Sequence, residues 1–268
     1  MTTSLTNQCI LITGASSGIG SSCAHFLARA GARLILAARR KEKLQALSDE
    51  LKQQYQTQTL LLCVDVQDCQ AVLTAIEGLP ADWQAIDVLI NNAGLSRGLE
   101  KQYQSPIQDW EEMIDTNIKG LLYITRTVVP GMVARGHGHV VNIGSIAARQ
   151  TYAGGSVYCA TKAAVKALSE GLKIDLLGTP VRVTNIEPGL VETEFSNVRF
   201  RGDEDKANSV YTGMTPLTPD DIADTILFAV TCHAHSIWAH QHSDGCAFGR
   251  VNHANQQSHT VCLLSPIV

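Results

Sequence analysis

The sequence predicts an α/β fold, one doubly wound parallel sheet with helices on both faces. Three observations lead there. Short β-rich apolar runs alternate with helix-length segments from the N-terminus onward, as parallel strands joined by helical crossovers require. The run Val140–Ile143 is Val-Val-Asn-Ile, continuous rather than alternating, which suits a strand covered on both sides. Residues 41–55 carry Leu44, Leu47 and Leu51 at i, i+3 and i+7, the apolar stripe of a helix lying on a sheet.

The elements follow in order. Cys9–Thr13 is a first strand ended by a glycine cluster, and a helix starts at about Gly18. Leu34–Ala38 is the second strand, followed by the striped helix over 41–55. Leu60–Val64, Val88–Ile90, Val140–Ile143 and Val181–Ile186 are further apolar runs of strand length. Ser156–Leu176 has good helical character, and a last helix is placed at about Pro219–Val230. Right-handed crossovers then wind the sheet in both directions. No linker or repeat divides this region, so residues 1–231 read as one domain. Residues 232–268 differ: they hold histidines 233, 235, 240, 242, 253 and 259, cysteines 232, 246 and 262, and only Arg250 and Asp244 as charged side chains. Neither periodicity persists there.

The composition narrows the function classes. The chain has 268 residues, 45% of them hydrophobic and 17% charged, so it can bury a core and is neither disordered nor fibrous. A net charge of −4 with no basic run beyond Arg39-Arg40-Lys41 argues against nucleic-acid binding. No apolar stretch approaches the ~18–20 residues that span a bilayer, and the first residues lack the pattern of a secretory signal. Eight cysteines placed singly suit reduced thiols in a cytoplasmic protein.

Thr13-Gly14-Ala15-Ser16-Ser17-Gly18-Ile19-Gly20 lies at a strand–turn–helix junction. Glycines there let the backbone turn tightly and approach a pyrophosphate, which meets free N–H groups at the helix start; a tight turn with close helix packing is the plainer alternative. Ala38 is followed by Arg39 and Arg40, where an NAD site usually carries an acidic residue for the ribose hydroxyl. Guanidinium forks match a phosphate, so the cofactor predicted is NADP(H). Asp65-Val66 and Asn91-Asn92-Ala93-Gly94 close the third and fourth strands at the ligand-binding edge. Asp65 reads equally as a helix cap or as a contact to adenine.

Tyr158 and Lys162 are four apart, on one helix face. A phenol titrates near ~10, and a cation within about 4–6 Å lowers such a value by ~1–3 units; Lys162 is expected to supply most of that adjustment. As an isolated pair the two read as structural more often than not. Ser145 at the end of the fifth strand, Asn117 within an apolar helix, and Pro188-Gly189 leading to Thr193 add a hydroxyl, a buried amide and a turn that can close over a nicotinamide.

Taken together these residues resemble the short-chain dehydrogenase/reductase family over about residues 7–230, which implies a Rossmann-like fold. The matching elements are Gly14/Gly18/Gly20, Asp65, Asn91-Asn92-Ala93-Gly94, Asn117, Ser145, Tyr158/Lys162 and Pro188-Gly189. The resemblance implies that Tyr158 is the general acid/base, that Ser145 positions the substrate oxygen, and that Lys162 holds the nicotinamide ribose and tunes Tyr158. Asn117 is implied to support a water-linked proton path. Ser16, Ser17, Ile19, Asn92, Ala93, Val191 and Thr193 join the implied cofactor contacts. The segments 34–40, 189–196 and 198–202 are most similar to the NADP-dependent serine/3-hydroxy acid dehydrogenase branch, whose members are homotetramers acting on small hydroxy acids. Arg199 and Arg149 are the candidate partners for a substrate carboxylate. A 3-oxoacyl or general carbonyl reductase is the same-family alternative, and an NADP-binding sensor without turnover is the alternative of another class. The tail resembles the family's ending poorly. A segment translated out of its ancestral frame explains its loss of charge, with a Zn²⁺ or Ni²⁺ site as the alternative; no metal is assigned. Such a tail is expected to leave the sixth strand at the sheet edge and to weaken tetramer assembly.

Overall fold

A computed structural model describes residues 4–213, 215–232 and, as backbone, 259–263. Strands β1 (Cys9–Thr13), β2 (Arg33–Ala38), β3 (Thr59–Cys63), β4 (Val88–Asn91), β5 (Gly138–Ile143), β6 (Val181–Pro188) and β7 (His259–Leu263) form one parallel sheet in the order β3-β2-β1-β4-β5-β6-β7. The helices are α1 (Gly18–Arg29), α2 (Lys41–Tyr55), α3 (Cys69–Glu77), α4 (Ile107–Ile114), α5 (Leu121–Arg135), α6 (Ser156–Asp175), α7 (Glu194–Arg199), α8 (Glu204–Ser209) and α9 (Pro219–Thr231). A π-helical turn, Asp115–Gly120, joins α4 to α5 without a break. Strand order reverses direction at β1, so a crevice opens beyond the carboxyl ends of β1 and β4.

Apolar residues fill both faces of the sheet. Along β1, Ile10 and Ile12 point into one layer with Leu27, Leu34, Leu36 and Ile226. Cys9 and Leu11 point into the other, with Ile35, Leu89, Met132 and Val183. The two-residue alternation of a strand thus serves two cores at once, and each fully buried leucine or isoleucine contributes roughly 1.5–3 kcal/mol. A polar clamp ties the strand ends beneath the crevice. Asn91 Nδ2 donates to Asn142 Oδ1 (2.9 Å) and Thr125 Oγ1 (3.0 Å), and Asn142 Nδ2 donates to Ser169 Oγ (2.8 Å).

The expectation that β6 forms the sheet edge is corrected: β7 pairs with it in parallel from Thr184↔His259 to Pro188↔Leu263. Backbone pairing needs no particular side chains, so a segment without clear periodicity can still add a strand. The premise for weakened assembly through a bare β6 falls with this pairing. Histidines 233, 235, 240, 242 and 253, with Cys246, lie outside the described residues, so the metal reading of the tail does too. No described helix is long and apolar enough to cross a membrane.

Candidate active site

A cleft of about 1390 Å³ runs along the carboxyl edge of the sheet, from Arg39 and Arg40 at one end to Tyr152, Tyr158 and Arg199 at the other. Its floor is the glycine loop. Gly14 and Gly18 have φ of 65° and 52°, which other residues resist. A Cβ at Gly20 would stand 2.3 Å from the Gly14 carbonyl oxygen. Thr13 holds the neighbouring loop, its hydroxyl accepting from Asn92 N and Ala93 N (3.0 Å each), while Asn92 Nδ2 donates to Thr13 O (2.9 Å) and Gly14 O (3.2 Å). Ser17 precedes α1 without capping it, so the helix start faces the cleft with its dipole available to an anion.

The adenosine-end residues come together as the sequence reading expects, with two additions. Arg40 donates through Nε and Nη2 to Ser16 Oγ (3.2 and 2.9 Å), through Nη2 to Ser17 Oγ (2.7 Å) and through Nη1 to Glu194 Oε2 (3.0 Å). Lys43 Nζ binds the other Glu194 oxygen at 2.6 Å. These hydrogen bonds, that from Lys43 foremost, hold the Glu194 carboxyl down to about 2. Two cations thus gather on one carboxylate at this end of the cleft. Asp65 does not cap α3; Asp68 does, accepting from Ala71 N at 3.0 Å. Asp65 instead accepts from Gln67 N (3.1 Å), pairs with Arg39 (3.6 Å) and lines the cleft beside Val66.

At the reacting end, Ser145, Tyr158 and Lys162 are all buried and all line the cleft. Ser145 Oγ accepts from Ala147 N (3.1 Å) and donates to Pro188 O (3.5 Å), so the start of a short turn fixes its hydroxyl. Asn117, on the π-helical turn, accepts from Leu95 N and donates to Leu95 O (2.8 Å each) and to Thr161 Oγ1 (3.0 Å). The Thr161 hydroxyl passes the link on to Tyr158 O (2.7 Å). Asn117 therefore ties the loop after β4 to the turn of α6 that carries Tyr158. Gly94 packs closely beside it: a Cβ there would lie 3.3 Å from Asn117 Oδ1 and 3.6 Å from Lys162 Nζ.

Electrostatics here differ from the sequence expectation. Burial pushes the Tyr158 phenol well above its ordinary value, and Tyr152 adds to this. The chief opposing influences are the Ser145 hydrogen bond and the Arg199 charge. Lys162 donates to Ile143 O (2.8 Å) and stands 5.9 Å from the Tyr158 ring centroid. Loss of water pulls its own ammonium down to about 8. Its ammonium thus lies at the outer edge of the roughly 4–6 Å over which a cation acts on a phenol.

The two candidate arginines separate. Arg149 Nε is bonded to fully buried Glu187, whose other oxygen accepts from Asn185 Nδ2 at 2.9 Å. Arg199 is 8% exposed, donates through Nη2 to Tyr152 OH (2.8 Å), and is surrounded by the rings of Phe195, Tyr158 and Tyr152 with centroids 5.4, 5.5 and 5.8 Å away. Its Nε has no hydrogen-bond partner. Gly189, Val191 and Thr193 line the same cleft, and Thr193 lies 3.2 Å from where a Gly18 Cβ would be. Lys43, Glu194, Tyr152 and Phe195 were missed by sequence reasoning. Only Lys43 carried a signal, one helical step from Arg40 and Arg39.

A nucleotide loop, a basic adenosine end and a Ser–Tyr–Lys set beyond the sheet define an oxidoreductase with a pyridine-nucleotide cofactor. A profile of short chain dehydrogenases matches residues 8–204, and the chain belongs to that family. It is 51% identical over 227 residues to the NADP-dependent 3-hydroxy acid dehydrogenase YdfG of Salmonella typhi, covering 84% of this chain and 90% of that one. It is 47% identical over 228 residues to the NADP-dependent 3-hydroxy acid dehydrogenase of Schizosaccharomyces pombe (85% and 88%). Among solved structures it resembles the closed form of serine dehydrogenase complexed with NADP⁺, with a TM-score of 0.84 and 43% identity over 97% of this chain and 95% of that one. With two arginines and no acid at the end of β2, the chain is an NADP-dependent oxidoreductase.

Proposed function

We propose that the protein oxidises small 3-hydroxy acids such as L-serine or 3-hydroxyisobutyrate, or reduces the corresponding carbonyl compounds. The observation that carries this is Arg199, a guanidinium buried beside the catalytic phenol with no carboxylate paired to it among the described residues. A buried charge without a counter-ion is unstable unless a ligand supplies one, and a substrate carboxylate does so bidentately. Arg149 does not serve, because Glu187 holds it. The names of the two enzymes at 51% and 47% identity support the same class.

When bound, the nicotinamide accepts or supplies the hydride. The chain's own residues do the rest. Gly14, Ser16, Ser17, Gly18, Ile19 and Gly20 form the phosphate cradle; Arg39, Arg40 and Lys43 face the extra phosphate. Asp65, Val66, Asn92, Ala93 and Gly94 line the adenosine and ribose side, and Pro188, Gly189, Val191 and Thr193 cover the nicotinamide side. Ser145 Oγ holds the substrate oxygen. The Tyr158 oxygen takes the hydroxyl proton during oxidation and returns it during reduction. Lys162 fixes the ribose, and Asn117 keeps that turn of α6 in register. Self-association as a homotetramer belongs to this reading, and light scattering tests it.

Reduction of NADP⁺ should be faster with L-serine, 3-hydroxyisobutyrate and 3-hydroxypropionate than with uncharged alcohols. Equal rates on both sets would refute the substrate assignment. Tyr158→Phe should lose about 10²–10⁴-fold in kcat and keep NADPH binding.

A further inference from the structure

Arg199 has a second consequence for the same site. Its guanidinium carbon lies 5.5 Å from the centroid of the Tyr158 ring, closer than the Lys162 ammonium at 5.9 Å. The side chain is held in place by the Tyr152 hydroxyl and by Phe195, whose own ring packs edge-on against Tyr158 at 5.7 Å. The groups facing Tyr158 are Lys162 and Cys159 from α6, Ser145 from the turn after β5, Tyr152 from the following loop, and Arg199 and Phe195 from α7. Arg97 and Glu100, from the loop after β4, line a small pocket that Tyr158 also lines. Lys162 and Arg199 differ in kind. A lysine ammonium stripped of water gives up its proton readily, whereas a guanidinium stays charged throughout the working range.

We propose that Arg199 is a tuning residue for the catalytic phenol, its permanent charge favouring the phenolate, and that an anionic substrate engaging the guanidinium weakens this help. The inference rests on the reading of Tyr158 as the acid/base and of Arg199 as the carboxylate partner. It makes substrate charge and phenol ionisation opposing partners: binding a carboxylate holds the phenol protonated, and phenolate formation draws the guanidinium away from the carboxylate. Uncharged alcohols escape this coupling.

The test places a ring-fluorinated tyrosine at position 158, which brings the phenol into an accessible pH range, and follows its ¹⁹F signal during titration. Without substrate, Arg199→Gln, which keeps a donor for Tyr152 but no charge, should raise the midpoint by about one pH unit. Arg199→Lys should restore most of it. Adding 3-hydroxyisobutyrate should raise the midpoint in the parent and leave Arg199→Gln unmoved. Where Arg199→Gln does not fold, Arg199→Met carries the same comparison. Coincident midpoints for Arg, Gln and Lys would overturn the tuning role, even if Arg199→Gln raises KM for hydroxy acids and so upholds the substrate reading. A raised midpoint in Arg199→Gln, together with a parent whose midpoint the hydroxy acid does not move, would keep the tuning role and defeat the carboxylate reading.

Discussion

Replacing Gly20 with alanine sets two effects of known sign against each other. Within a helix, alanine is favoured over glycine by about 1 kcal/mol. Against that, the new Cβ would stand 2.3 Å from Gly14 O, 2.6 Å from Asn92 Nδ2 and 2.9 Å from Gly14 C, where carbon contacts settle at about 3.5–4.0 Å. Neither neighbour yields easily. The carbonyl is backbone in a turn with φ of 65°, and the amide is held by Thr13 O and Gly14 O. Overpacking of this kind costs about 1–3 kcal/mol, so the net loss is about 0–2 kcal/mol, or up to roughly 8 °C in Tm. Because the displaced carbonyl belongs to the proposed phosphate cradle, whose N–H groups move with it, NADPH affinity should fall by about 10–100-fold, the worth of one hydrogen bond to a charged group. Thermal melts and fluorescence titration with NADPH measure the two. A variant with raised Tm and unchanged affinity would refute the steric reasoning and leave helix propensity in charge.

Two further outcomes follow from the charges. Arg40→Ala should weaken NADP⁺ binding about 10–100-fold and leave NAD⁺ nearly unaffected, while Glu194→Gln, by removing the anion that occupies Arg40 and Lys43, should tighten NADP⁺; calorimetry with both nucleotides reads this directly. Burial lowers Lys162 from 10.5 to about 8, so between those values the unfolded chain binds a proton that the folded one has released, and stability rises with pH across that window. Lys162→Met should therefore raise the cofactor-free stability at pH 7, by at most about 3 kcal/mol, and the gap to the parent should narrow as pH climbs past 8; a gap that is constant with pH would show that the ammonium is not penalised by burial.

The fold was legible wherever a local pattern carried the information. The helix at Lys41–Tyr55 follows from its leucine stripe, and the strands differ from expectation by at most two residues at either end. Strand–turn–helix glycines and the Tyr158/Lys162 spacing lie close together in the chain, and they announce themselves. What was illegible depends on partners far apart. Arg149 and Arg199 look alike in sequence, and only a glutamate 38 residues from the first separates their roles. Glu194 meets Arg40 across 154 positions. The balance of charges on Tyr158 likewise depends on which way Lys162 turns, which spacing does not specify. β7 escaped because its pairing is made by the backbone.

The wide turn at Asp115–Gly120 has a bearing on how this enzyme tolerates change. An ordinary helix rotates by about 100° per residue, and the surplus residue here resets the angular phase between α4 and α5. Losing any one residue from that stretch would leave both flanking helices intact in length and hydrophobic pattern. It would nevertheless swing the Asn117 amide away from Leu95 and Thr161. A deletion that any helix predictor would pass as neutral would thereby unpin the reacting end of the molecule while the rest of the architecture stood.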